Sequence, residues 1–82
     1  MREHTLEITI ALKEGMLDPE ARAIQHALKN LGFPTGDLKT AQVFLVTLPA
    51  ASTEEARRVA GEMCERLLAN PVIHTYTIGV RE

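Results

Sequence analysis

Three histidines and one cysteine are the residues of this sequence best suited to metal binding or nucleophilic attack. His4, His26 and His74 lie far apart, and none is paired with another histidine at the three- or four-residue spacing typical of a helical metal site. The single cysteine, Cys64, excludes a four-thiolate cluster, a Cys-x-x-Cys site and an internal disulfide. We therefore expect no metal site, and we expect Cys64 to be buried as a small apolar residue.

Carboxylates are the other candidates for chemistry. Glu14 and Asp18 lie near the end of a predicted strand, but Asp18 directly precedes Pro19 and so has the position of a helix N-cap. The sequence contains no glycine-rich phosphate loop, and it lacks the stacking aromatic residues of a ferredoxin-like RNA-binding domain. We expect no catalytic, cofactor-binding or metal-binding residue in this chain.

Size and charge narrow the possible partners. The 82 residues predict one domain, 1–82, with a thin aliphatic core. Small domains often gain stability by self-association, so we expect a dimer or tetramer. The net charge is −2 without a block of like charges, which argues against nucleic acid and anionic membranes as partners. No apolar run is long enough to span a bilayer, the start does not resemble a signal peptide, and the lone cysteine fits a reducing cytoplasm.

Three segments have the patterns of strands. Residues 4–12 alternate, with Leu6, Ile8 and Ile10 on one face and threonines and a glutamate on the other. Residues 42–49 are apolar on both faces, which is typical of a central strand or of one that meets a partner chain. Residues 37–41 either begin this strand or form a separate arm. Residues 72–80 predict the last strand, with Val72 and Tyr76 on one face.

Two segments have the patterns of helices. The first, 19–31, begins at Asp18-Pro19 and ends before Gly32. The second, 53–69, begins with the capping box of Ser52 and Glu55 and ends at Asn70-Pro71, where we expect Asn70 to be left-handed. Each has one apolar stripe. The first stripe comprises Leu17, Ala21, Ile24, Leu28 and Leu31, and the second comprises Ala56, Val59, Ala60, Met63 and Leu67.

The order strand, helix, strand, helix, strand predicts an α+β fold. We expect a ferredoxin-like or related two-layer sandwich, with an antiparallel sheet, a long or bent middle strand, right-handed crossovers and both helices on one face. The opposite face is polar, and it is either solvent-exposed or a subunit interface.

Two stretches and the spacing between them resemble a known family. "LKEGMLDPEARAIQHAL" (12–28) and "MCERLLANPVIHTYTIGV" (63–80) are similar to PurS, the small subunit of phosphoribosylformylglycinamidine synthase. The likeness extends over nearly the whole chain. It departs from the family pattern at Ala41-Gln42, where a Gly-Lys pair is usual and where Lys39 is a possible substitute, and at His74, where glutamate is usual.

The resemblance implies a non-catalytic assembly subunit. In such an enzyme a large synthetase subunit binds ATP, magnesium and formylglycinamide ribonucleotide, and a glutaminase subunit releases ammonia from glutamine. The small subunit bridges these two partners and aids ammonia transfer. A regulatory domain of ACT-like type and a stand-alone small enzyme are the alternatives.

We expect the partner contacts at two corners of the chain. The candidate residues are Lys13, Glu14, Asp18, Pro19, Asn70 and Pro71. These positions match the family best, and Lys13 and Glu14 have no evident role in folding.

Overall fold

The computed structural model describes residues 1–81, which form three strands and two α-helices with a short π-helix. The strands are β1 (Arg2–Leu12), β2 (Ala41–Ala50) and β3 (His74–Arg81), and the helices are α1 (Pro19–Asn30), α2 (Thr53–Met63) and the π-helix (Cys64–Leu68). The predicted α+β class with an antiparallel sheet is confirmed. Residues 37–40 contain no strand, so the middle strand begins at Ala41.

β1 is the central strand of the sheet, whose order is β2-β1-β3. Both neighbours run antiparallel to it, with Ile8 opposite Phe44 on β2 and Ile78 on β3. β2 and β3 are therefore parallel to each other with β1 between them, and α2 connects them. This arrangement is the split β-α-β unit of ferredoxin-like folds.

The core lies between α2 and one face of the sheet. Leu6 and Ile8 on β1 have no exposed surface, and neither do Ala56, Ala60 and Cys64 on the helical side. Alanine and cysteine at these positions allow the α2 backbone to lie close to the strands, because their side chains are short. A hydrogen bond also joins the two layers, since Arg57 Nη1 donates to the Ile78 carbonyl at 2.7 Å.

The first helix does not lie over this face, which differs from the expectation that both helices would cover it. Ala11, near the end of β1, pairs with Ala41, the first residue of β2. The chain therefore leaves the sheet and re-enters it at the same end, and α1 does not form a crossover over the sheet. Of α1, only Ala21 is buried, while Ile24 is 42% exposed and Leu31 72% exposed. An apolar stripe shows that a helix needs a partner surface, but the stripe does not identify that surface.

Both predicted helix starts are confirmed by their caps. Asp18 Oδ1 accepts a hydrogen bond from the Ala21 N–H at 3.0 Å, and Ser52 Oγ accepts one from the Glu55 N–H at 3.1 Å. The end of α1 is also as predicted, because Gly32 has a φ of 94°. These signals are local in sequence, which is why residue types alone reveal them.

The second helix ends differently from the prediction. It is α-helical only to Met63 and continues as the π-helix, which the Ala69 N–H closes by donating to the Cys64 carbonyl at 2.9 Å. A π-turn inserts one extra residue, so positions beyond it rotate relative to an α-helix. Leu67, predicted to face inward, is therefore 83% exposed, whereas Cys64 is buried and Leu68 packs against the core.

The last strand begins two residues later than predicted. Residues 71–73 form a turn, so Val72 is 74% exposed instead of lying on the core face beside Tyr76. Tyr76, Ile78 and Val80 do pack against the core, as the alternation predicted.

Candidate functional site

The two predicted corners meet at one end of the sheet. The Lys13 N–H, just after β1, donates to the Ile73 carbonyl, just before β3, at 2.8 Å. Leu12 and His74 are opposite each other in the strand pair that leads to this point. We call the surface formed by the six predicted residues the double corner: Lys13, Glu14, Asp18, Pro19, Asn70 and Pro71. Two segments about sixty residues apart in sequence thus form one surface.

Asp18 fixes the shape of the first corner. One carboxylate oxygen caps α1, and the other accepts hydrogen bonds from the Thr40 hydroxyl at 2.7 Å and the Thr40 N–H at 3.2 Å. The bond from the Ala21 N–H, followed by that from the Thr40 hydroxyl, lowers the pKa of Asp18 below its usual value. Asp18 therefore joins the start of α1 to the start of β2, and both carboxylate oxygens have partners within the chain.

Glu14 belongs to an exposed ion pair at the same corner. Lys39 Nζ lies 2.9 Å from Glu14 Oε1 and 4.0 Å from an oxygen of Asp37. The hydrogen bond and the charge of Lys39 lower the pKa of Glu14, and Glu14 correspondingly raises the pKa of Lys39. Because both side chains are largely exposed, solvent weakens this pair and its contribution to stability is small. Lys39 is the residue expected to substitute for the lysine usual in the family, and it lies beside the double corner.

Asn70 shapes the second corner, but not in the predicted way. Non-glycine residues of the described chain 1–81 all have negative φ, so Asn70 is not left-handed. Instead Asn70 Oδ1 accepts a hydrogen bond from the Val72 N–H at 3.0 Å, and its carbonyl accepts one from the His74 N–H at 2.7 Å. The prediction was wrong because the π-helix ends at Ala69 in an extended conformation, so a left-handed residue is unnecessary.

The His74 ring completes this corner. The Asn70 N–H donates to His74 Nδ1 at 2.9 Å, so the ring holds the turn that contains Pro71. A ring nitrogen can accept a hydrogen bond only when it carries no proton. The bond therefore requires a neutral imidazole with its proton on Nε2.

We expect the His74 ring to stabilise this corner. His74→Ala removes the acceptor, so the Asn70 amide should lose protection from exchange by about fivefold, the factor equivalent to roughly 1 kcal/mol for one net hydrogen bond. The measurement is NMR hydrogen exchange of the native chain and the variant at the same pH and temperature. His74→Asn is the control, since its side-chain oxygen can accept in place of the ring nitrogen. An Asn70 amide that is as well protected in His74→Ala as in the native chain would contradict this account.

The remaining candidates for chemistry are dispersed or buried. His4 lies on β1, His26 on α1 and His74 at the start of β3, and residues 1–81 contain no group of three metal-ligating side chains placed around one point. Cys64 is buried, and burial, with a smaller effect of Glu65, raises the pKa of its thiol. A thiol of raised pKa is a poor nucleophile. In residues 1–81, the helices are all too short or too polar to cross a bilayer.

Two residues of this region were missed as parts of a site. Thr40 and the Ile73 carbonyl hold the corners in place, yet neither has a local pattern that indicates such a role. The partners of Thr40 and Ile73 are twenty-two or more residues away, so only the fold brings them together. The double corner therefore has the properties of a shaped interaction surface, whose Asp18 and Asn70 side chains accept hydrogen bonds from within the chain.

Comparisons with known proteins all identify the same family. Residues 5–82 match the family model described as PurS, phosphoribosylformylglycinamidine (FGAM) synthase. The PurS subunit of Archaeoglobus fulgidus is 49% identical over 77 residues, which are 93% of this chain and 96% of that protein. The corresponding subunit of Methanothermobacter thermautotrophicus is 44% identical, with 94% and 92% covered.

A solved structure agrees with these sequence matches. The crystal structure of PurS from Methanocaldococcus jannaschii superposes with a TM-score of 0.86 at 39% identity, and the match covers 96% of each chain. That protein is described as one of the subunits of formylglycinamide ribonucleotide amidotransferase in the purine biosynthetic pathway.

Proposed function

Because this chain belongs to the PurS family, we propose that it is the small assembly subunit of a phosphoribosylformylglycinamidine synthase. The observation that carries this proposal is the match over almost the full length of both this chain and its relatives. The complex uses ATP and glutamine to convert formylglycinamide ribonucleotide to formylglycinamidine ribonucleotide in purine biosynthesis. We treat residues 1–82 as one domain and place it in the cytoplasm, in keeping with its free cysteine.

The proposed partners are a large synthetase subunit, which holds ATP and magnesium, and a glutaminase subunit. The PurS subunit bridges them and aids the passage of ammonia from the glutaminase to the synthetase. Ammonia is small and neutral, so the subunit acts by fixing the geometry of its partners. Small displacements of reacting groups change rates by orders of magnitude, which makes such positioning effective.

Self-association is part of the proposal, because large apolar side chains at both ends of α1 are exposed. Leu17 is 75% exposed, Leu31 is 72% exposed, and Phe33 just beyond the helix is 62% exposed. Contact of this stripe with a second copy would remove these surfaces from water. A dimer or tetramer therefore fits the thin core of a single chain.

The decisive experiment is reconstitution of the complex. Purified synthetase and glutaminase subunits from the same organism are assayed with and without this chain, first with glutamine and then with ammonium chloride as the nitrogen source. We expect glutamine-dependent amidation to require the chain and ammonium-dependent amidation to need it less, since free ammonia does not have to pass between subunits. Full glutamine-dependent activity without the chain would refute the assembly role. Cooperative binding of a free amino acid would favour a regulatory domain instead.

The double corner is tested by Lys13→Ala combined with Glu14→Ala. We expect an unchanged melting temperature, because the structural bond of Lys13 comes from its backbone N–H and the Glu14–Lys39 pair is exposed. Complex formation, measured by analytical ultracentrifugation, should weaken at least tenfold. The matched control is Arg58→Ala with Glu62→Ala, which removes an exposed pair on α2. Equal weakening by both double variants would argue against this surface.

A further inference from the structure

A groove lies between α1 and the segment that follows it. It has a volume of about 460 Å³ and is lined by Arg22, Gln25, His26, Lys29, Pro34 and Thr35. Gln25 Nε2 donates to the carbonyls of Thr35 at 3.2 Å and Gly36 at 3.4 Å, so this side chain holds the segment opposite the helix. The groove therefore has two walls, α1 and the segment 34–36, and the hydrogen bonds of Gln25 connect them.

The helical wall is basic. Arg22, His26 and Lys29 are spaced four and three residues apart, which places them on one face of α1. Among the described residues 1–81, no carboxylate lines the groove. Within residues 1–81, Arg22 and Lys29 make no ion pair, whereas Lys39, Arg58 and Arg81 each have a carboxylate partner. Although the net charge of the chain is −2, two cations without an ion-pair partner in residues 1–81, Arg22 and Lys29, therefore lie in the same groove.

Folding explains only part of this cluster. Lys29 lies in the last turn of α1, where a positive charge favours the helix dipole. Arg22 lies near the other end of the helix, where the dipole disfavours a positive charge. The basic face is also on a different side of α1 from the apolar stripe of Ile24, Leu28 and Leu31, so packing of that stripe does not account for it.

We propose that this groove binds the phosphate group of a small phosphomonoester. A guanidinium binds two phosphate oxygens in parallel, and an ammonium group and an imidazole add donors for the remaining oxygen. The two negative charges of a phosphomonoester also match the two cations, Arg22 and Lys29, better than a single carboxylate does. The groove volume suits a phosphate with an attached sugar, since small-molecule sites begin at about 300 Å³. This proposal concerns binding alone and does not rest on the assembly role.

The test is an NMR titration of the full chain at constant ionic strength. Inorganic phosphate and ribose 5-phosphate are added separately, with sodium chloride as the reference. We expect saturable shifts confined to residues 22–29 and 34–36, and tighter binding of ribose 5-phosphate than of inorganic phosphate. Arg22→Gln with Lys29→Gln should weaken the binding of either probe at least tenfold. Circular dichroism and the melting temperature confirm that the variant is folded.

The matched control is Arg58→Gln with Arg66→Gln, which makes the same change of net charge on exposed positions of α2 and the π-helix. We expect this control to bind both probes as the native chain does. Equal weakening by both double variants would show a nonspecific effect of charge and overturn the proposal. Shifts that do not saturate, or that map outside the groove, would overturn it as well.

Discussion

Leu6→Ala is expected to lower the free energy of unfolding by about 2–5 kcal/mol, the range for truncating a buried leucine to alanine. Leu6 has no exposed surface and lies on the central strand, opposite Val46 and Val80. Its removal leaves a cavity in a core that has few large side chains. Because a small domain has little stability to lose, much of the variant should be unfolded near physiological temperature. Urea unfolding at a fixed protein concentration measures the difference.

The matched control is Leu67→Ala, which makes the same chemical change on an 83% exposed side chain. We expect a difference within about 0.5 kcal/mol of the native chain, as for ordinary surface substitutions. This comparison also tests the π-helix, because a regular α-helix through residues 64–68 would turn Leu67 toward the core. A loss at Leu67 comparable to that at Leu6 would contradict the π-helical geometry.

Ala60→Leu is expected to destabilise the chain by about 1–3 kcal/mol, the usual cost of adding methylene groups to a packed core. Ala60 has no exposed surface and lies in the helix layer above the sheet. A leucine there must either push α2 away from the strands or adopt a strained rotamer. Thermal unfolding followed by circular dichroism would report the change as a lower melting temperature.

Ala27→Leu provides the control for this second prediction. Ala27 is an exposed position of α1, so the same enlargement meets solvent instead of the sheet. Alanine and leucine also have similar helix propensities, so little change in stability is expected. If Ala60→Leu were as stable as Ala27→Leu, the α2 backbone could not lie as close to the strands as described.

Local signals in the sequence predicted the elements of this fold well. The caps at Asp18 and Ser52 and the glycine at position 32 depend on residues within one helical turn, so their types suffice to locate helix ends. The alternation along β1 likewise identified Leu6, Ile8 and Ile10 as core residues. In each case the chemistry that fixes the structure lies within a few positions of the residue concerned.

Features that depend on distant contacts could not be predicted in the same way. The π-helix has no local sequence signal, and it reversed the expected exposure of Leu67 and removed the need for a left-handed Asn70. The placement of α1 depends on the antiparallel return of β2 to β1, which a helical stripe does not encode. Periodicity gives the face of a helix that needs a partner, whereas topology decides which partner is available.

The candidate site likewise combines residues that local sequence identified with contacts that only the fold creates. Lys13, Glu14 and Asn70 were proposed separately from their local positions, and the fold brings their two corners together through the Lys13–Ile73 hydrogen bond. Lys39 and Thr40 complete the surface by contacts to Glu14 and Asp18, which are more than twenty residues away.

The central position of β1 also determines how this chain folds. Thr5 on β1 lies opposite Arg81 on β3, so the first and last strands of residues 1–81 must meet before the sheet is complete. Contacts between distant residues slow folding because the intervening chain must first be ordered. We therefore expect the folding rate to be set by closure of the sheet and not by formation of the helices.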